Sequence, residues 1–80
     1  KNYYDVLGVK FSSTNYDLRK AYRKLVRQFH PNLNPGNAAA LARYEEIVEA
    51  FQVLSNPEAR AIYDYRLKEY AAESKLQEAQ

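Results

Sequence analysis

His30 is the chain's single histidine. Pro31 and Asn32 follow it directly, and five cations, Arg19, Lys20, Arg23, Lys24 and Arg27, precede it. An imidazole can serve as a general base, a metal ligand or a polar cap. The first role needs a nucleophile within reach, and the second needs companion ligands. The chain has no cysteine, no second histidine and no Gly-rich phosphate loop near His30. Nucleophilic catalysis, a thiolate metal site and a histidine cage therefore lack their parts, and we expect neither enzyme activity nor a cofactor. His30 is left with two readings: a helix-end partner for the dipole, or a directional contact to another molecule. Pro31 reads by itself as a helix stop.

The cations offer a different chemistry. Arg19, Arg23 and Arg27 fall four apart on one line of a helix, with Lys20 and Lys24 on the next line. Like charges at this spacing repel by a few tenths of about 1 kcal/mol per pair. Asn15 to His30 holds those five cations and one acid, a local balance of +4 against +2 for the whole chain. A solvated face is one reading, and an oriented surface for an acidic partner is the other. The next helical segment, with Arg43, Glu45, Glu46 and Glu49, has the mixed signs of an ordinary exposed face.

Helices must hold these groups. Thr14 and Asp17 form a capping-box pattern, and Leu18, Ala21, Tyr22, Leu25 and Phe29 recur with helical period, so an amphipathic helix starts after Thr14. It stops near Phe29, because Pro31 disfavours helical geometry at His30. Asn34, Pro35, Gly36 and Asn37 keep the chain in a loop. A second helix runs from about Ala38 to Leu54, with Leu41, Tyr44, Ile47, Val48, Ala50, Phe51 and Leu54 as its apolar face. Asn56, Pro57 and Glu58 open a further helix in which Ala61, Ile62, Tyr65 and Leu67 are the apolar positions. Upstream, Tyr3, Tyr4, Val6, Leu7 and Val9 around Gly8 suit one or two helical turns. No alternation long enough for a strand occurs, so the fold class is all-α, with the two long helices as antiparallel neighbours.

Eighty residues, 46% hydrophobic and 28% charged, make one small folded domain and exclude a disordered chain. No apolar run is long enough to span a membrane. We expect a domain over residues 1–70 and a polar helical tail or linker over 71–80, in a piece cut from a longer intracellular, cytoplasmic protein. Most of the eight tyrosines fall on apolar faces or helix ends, where packing is the expected role.

Five ordered blocks carry a resemblance. They are Tyr3-Tyr4-x-Val6-Leu7-Gly8-Val9, Leu18 to Leu25, His30-Pro31-Asn32-Leu33-Asn34, Tyr44-x-x-Ile47-x-x-Ala50-Phe51-x-x-Leu54-Ser55-Asn56, and Arg60-x-x-Tyr63-Asp64. Together they resemble the J-domain of DnaJ-type Hsp70 co-chaperones over about Tyr3 to Tyr65. The resemblance implies four helices, with short first and fourth members around a central antiparallel hairpin. It also implies docking on the nucleotide-binding domain of an Hsp70 and stimulation of its ATPase. Carried over by position, the docking residues are Arg19, Tyr22, Arg23, Lys24 and Arg27, with His30, Pro31 and Asn32 at the tip. Asn34 and Tyr44 match family positions near the loop.

The family's signature is His-Pro-Asp, and this chain has Asn32. Asparagine keeps the shape and one acceptor, loses the formal charge and adds two N–H donors. Leu33 stands where many members have a basic residue. The fold expected is therefore that of the family, and the expected ATPase stimulation is weakened. Two alternatives stay open: a J-like interaction module that does not act through Hsp70, and a basic-helix nucleic-acid binder using phosphate contacts and tyrosine stacking. The second lacks a base-reading side chain at a helix N-terminus and ranks below the Hsp70 reading. As an isolated domain we expect a monomer.

Overall fold

The computed structural model describes residues 1–78. They form four α-helices in chain order: α1 (Tyr3–Leu7), α2 (Asn15–Phe29), α3 (Ala38–Leu54) and α4 (Pro57–Glu78), with no strand among the described residues. Each helix starts on the cap its sequence provides. Asn2 and Asp5 make a reciprocal capping box on α1, and Thr14 and Asp17 make one on α2. Asn37 Oδ1 accepts from the Ala40 N–H at the start of α3, and Asn56 Oδ1 accepts from Glu58 and Ala59 at the start of α4. Gly8 ends α1 at φ +68°, a left-handed conformation that costs a residue without Cβ little.

α3 is the centre of the domain. Ile47, Ala50 and Leu54 are fully buried there, and they share one core with Leu18 of α2 and with Tyr4, Val6 and Leu7 of α1. Tyr22, Leu25, Val26 and Phe29 complete the α2 side. Tyr22 stacks on Phe51 at 4.1 Å, Phe29 meets the Arg43 guanidinium at 5.9 Å, and His30 meets Tyr44 at 5.3 Å. Partners on α3 run backward as α2 runs forward, so the two helices are antiparallel. Val26, absent from the expected stripe, packs against the core beside Leu25.

Three expectations change. Leu41, placed on the apolar face of α3, is 44% exposed, since it lies near the loop where α2 has ended. On α4, Ala61, Ile62 and Tyr65 face solvent, whereas Leu67 packs on the core as expected and Tyr63 joins it, with Arg60 and Asp64 half-buried beside them. The fourth helix is also not short: it has 22 residues and is the longest. No breaker follows Pro57, and the Ala, Glu, Lys and Gln that follow sustain helix without a core. The tail expected over 71–80 is thus helical and exposed through most of its described part, and residues 79–80 lie outside the described residues. The radius of gyration, 14.8 Å, reflects this projection; a compact chain of this length would give about 12 Å.

α4 holds α1 through a polar cluster. The Tyr4 hydroxyl donates to Asp64 Oδ1 at 2.6 Å and accepts from Arg60 Nε at 3.0 Å. Arg60 Nη2 donates to the carbonyls of Phe11 and Ser13, tying down the α1–α2 connection. Tyr3 stacks on Tyr63 at 4.6 Å, and its backbone N–H donates to the Tyr63 hydroxyl.

Burial, followed by the bond to Asp64, pushes the Tyr4 hydroxyl above the ordinary tyrosine pKa; burial and then the Glu49 charge do the same to Tyr3. Because ionisation is disfavoured only in the folded chain, their contribution is whole below the ordinary value of about 10 and is lost as pH rises through the raised one. Tyr4→Phe is expected to lower stability at neutral pH by about 1–3 kcal/mol and to flatten the alkaline decline. Urea denaturation at pH 7 and across pH 9–11 measures both, and an unchanged alkaline limb would locate that titration elsewhere.

Candidate docking site

Pro31 sets the loop in motion. His30 is still capped to the helix, its N–H donating to the Val26 carbonyl at 2.9 Å, but its backbone has left helical geometry at ψ 136°. The loop then folds back on the end of α2. Leu33 N–H and Asn34 N–H both donate to the His30 carbonyl, at 2.9 and 3.1 Å. The Asn34 side chain adds two bonds, from Nδ2 to the carbonyls of Gln28 (2.9 Å) and His30 (3.1 Å). Asparagine here satisfies the open carbonyls that every helix C-terminus leaves. Gly36, at φ +72°, makes the turn toward Asn37 and the start of α3.

The imidazole is held from two sides. Its Nδ1 accepts the Asn32 backbone N–H at 3.0 Å, which leaves Nε2 as the ring's donor, and the ring lies edge-on to Tyr44. The Asn32 backbone is thereby fixed while its side chain is exposed and makes no hydrogen bond among the described residues. An amide with no intramolecular use thus stands at the tip. Arg43 supports the arrangement from α3. One nitrogen donates to the Val6 carbonyl of α1 at 3.1 Å, another pairs with Glu46 at 3.4 Å, and the guanidinium lies over Phe29.

Arg19, Lys20, Arg23, Lys24 and Arg27 are all exposed, and none is in an ion pair among the described residues. They border one broad groove along α2, which Tyr16 and Gln28 also line. Of the sequence-derived candidates, the five basic and tip residues Arg19, Arg23, Lys24, Arg27 and Asn32 present free polar groups on the surface. Tyr22 is half-buried against Phe51, and Asn34 and Tyr44 serve the loop from within. Pro31 is half-buried. Sequence reasoning passed over Arg43 as one charge on a mixed face. Its cation–aromatic contact and its bond to α1 depend on helices distant in sequence, and no local spacing signals them.

A DnaJ-domain family profile matches residues 2–64. The chain belongs to the DnaJ-domain family. The domain is 50% identical over 64 residues to the chaperone protein DnaJ of Acetivibrio thermocellus, covering 80% of this chain and 17% of that protein. It is 52% identical over 64 residues to the DnaJ of Chlorobium chlorochromatii, covering 80% of this chain and 16% of that one. The DnaJ domain thus spans about one sixth of the length of these relatives. Among solved structures, the J-Trx1 fragment of ERdj5 superposes with a TM-score of 0.78 at 34% identity, over 81% of this chain and 31% of that one. The family match ends at Asp64, the residue that closes the Tyr4–Arg60–Asp64 cluster.

Removing the Asn34 clamp tests whether the loop is preorganised by that side chain. Asn34→Ala is expected to cost about 1 kcal/mol and to speed hydrogen exchange at the Asn32 and Leu33 amides, read by denaturation and exchange NMR. Unchanged exchange at those amides would assign the loop's order to its backbone bonds alone.

Proposed function

We propose that this DnaJ domain docks on the nucleotide-binding domain of an Hsp70 and regulates its ATPase, with stimulation weakened by Asn32. The observation that carries the reading is the placement of the exposed, unpaired cations of α2 on one surface that leads to the His30-Pro31-Asn32 tip. Membership in the DnaJ-domain family supports it. The two parts divide the work. Five unpaired cations steer and orient the domain on an acidic partner, an effect that raises association rate and falls with salt. The fixed loop then makes short directional contacts from His30 Nε2 and the Asn32 amide. Tyr22, Asn34 and Tyr44 act in this scheme by holding α2 and the loop in register.

The missing charge has a definite cost. A carboxylate at position 32 could make a charge-assisted, bidentate contact to a partner cation, and an amide cannot. Losing it amounts to about 1.5–3 kcal/mol, or one to two orders of magnitude in affinity or stimulation. The reading requires an Hsp70 in the same compartment and a domain that acts as a monomer.

Asn32→Asp is expected to raise single-turnover ATP hydrolysis by the Hsp70 of the same cell several-fold; an unchanged rate would mean that position 32 does not limit stimulation. Reversing Arg23 and Arg27 to Glu should weaken Hsp70 binding while moving the melting temperature by no more than about 3 °C, because both side chains are in water. Salt-dependent binding to random DNA with no effect on the Hsp70 would instead favour the nucleic-acid reading.

A further inference from the structure

The two nitrogens of the His30 ring have different duties. Nδ1 accepts the Asn32 backbone N–H at 3.0 Å, and Nε2 has no hydrogen-bond partner among the described residues. The backbone explains why a ring can take this bond. His30 is at φ −58° and ψ 136°, extended geometry that Pro31 favours from the next position. Its side chain thereby reaches the N–H two residues on, the pairing that asparagine and aspartate make in an Asx turn. Here a neutral imidazole is the acceptor. Unlike an amide oxygen, that acceptor disappears when the ring takes up a proton, because both nitrogens are then donors and no rotation of the ring restores one.

The rest of the loop is built from groups that do not titrate. Leu33 N–H and Asn34 N–H donate to the His30 carbonyl, and Asn34 Nδ2 donates to the carbonyls of Gln28 and His30. Loss of the acceptor at Nδ1 therefore releases the Asn32 amide and leaves the fold-back of the loop in place. The charged groups around the ring are mostly cations. On α2 the neighbour is Arg27, three residues back; on α3 they are Arg43, paired with Glu46 at 3.4 Å, and the neutral Tyr44, edge-on to His30 at 5.3 Å. The loop itself has no Asp, Glu, Lys or Arg from Gln28 to Ala42, and no carboxylate pairs with His30 among the described residues. A protonated ring thus finds no intramolecular partner that would hold the tip in a second fixed arrangement.

We propose that His30 is a pH-dependent latch on the docking tip: neutral, with its proton on Nε2, it holds the Asn32 backbone in the docking arrangement, and protonated at Nδ1 it lets residue 32 go. The proton comes from solvent to the Nδ1 lone pair, and the only bond broken is the hydrogen bond from the Asn32 amide. The latch follows from the loop geometry alone. That the latched form is the docking-competent one rests on the Hsp70 reading and deepens it, because position 32 then meets the partner only while its backbone is held.

NMR of the chain across about pH 5–8, where imidazoles titrate, tests the latch. Long-range proton–nitrogen spectra give the tautomer, and amide exchange corrected for the intrinsic effect of pH gives protection. The Nε2–H tautomer is expected at the alkaline end, with Asn32 protection falling about tenfold as the ring titrates and Leu33 protection staying within about twofold. His30→Asn should keep an Asx-turn acceptor and flatten the Asn32 profile, and His30→Ala should leave that amide unprotected throughout. An Nδ1–H tautomer at the alkaline end, or Asn32 protection that is constant through the titration, overturns the latch. A second arm measures binding to the Hsp70 of the same cell and single-turnover ATP hydrolysis, the latter as a ratio to the Hsp70 alone at each pH. A several-fold fall in both that follows the ring's titration is expected. Values that stay level while the Asn32 amide is released overturn the docking-competence of the latched form and leave the Hsp70 reading in place. Absence of binding at every pH overturns the Hsp70 reading, and the NMR arm still decides the latch.

Discussion

Burial of Ile47, Ala50 and Leu54 on α3 is the contact on which the other elements depend. α1 and α2 are each too short or too charged to be stable alone. Five residues cannot sustain a helix in water, and α2 carries like charges at the i,i+4 pairs Arg19–Arg23, Arg23–Arg27 and Lys20–Lys24. Both gain their order by packing on a helix that is apolar on more than one side. Ala50 matters through its size, because a small residue at full burial lets neighbouring helices approach closely. The repulsion along α2, a few tenths of about 1 kcal/mol for each pair, is then tolerable.

The same packing fixes the direction of the site. Tyr22 on Phe51, Phe29 on Arg43 and His30 on Tyr44 are successive contacts along one seam, so the register of α2 on α3 determines where the loop begins. From there the loop needs few further constraints. Pro31 removes the helical option, Asn34 closes the helix end, and the His30 ring takes up the Asn32 N–H. Ordering these residues before binding lowers the entropy that a partner must supply, the usual advantage of a preformed contact. α4 contributes at a distance, through the Tyr4–Arg60–Asp64 cluster that keeps α1 beneath the hairpin.

Much of this was legible in the sequence where the signals were local. The ends of α2 and α3 are marked by Thr14, Pro31, Asn37 and the Asn56-Pro57 pair, and the observed helices end there. The cationic lines on α2 follow from spacing alone. The inner face of α4 was legible only in part, through Leu67 and the Tyr63-Asp64 pair. Counting apolar residues selects Ala61, Ile62, Tyr65 and Leu67, of which Leu67 alone packs on the core; Tyr63 joins it, with Arg60 and Asp64 whose charges find each other and Tyr4. A polar residue satisfied by a long-range partner has no periodic signature. Arg43 escaped for the same reason. Tyr22 reads equally as a surface tyrosine and as a seam residue until Phe51 is seen beneath it.

The replacement of the signature carboxylate by Asn32 can be separated from the fold for a structural reason. The hydrogen bonds that shape the loop around this position use backbone groups and the side chains of His30 and Asn34: the Asn32 N–H to His30 Nδ1, the Leu33 and Asn34 N–H groups to the His30 carbonyl, and Asn34 Nδ2 to the Gln28 and His30 carbonyls. The side chain at position 32 takes no part, and amide and carboxylate have nearly the same shape. These backbone bonds are open to either side chain, so under the proposed docking the difference in charge is felt by the partner rather than by the loop. The side chains that order the loop, His30 and Asn34, are thus distinct from the exposed side chain at position 32. A substitution at position 32 therefore leaves the bonds that set the helices, the seam and the cationic stripe in place.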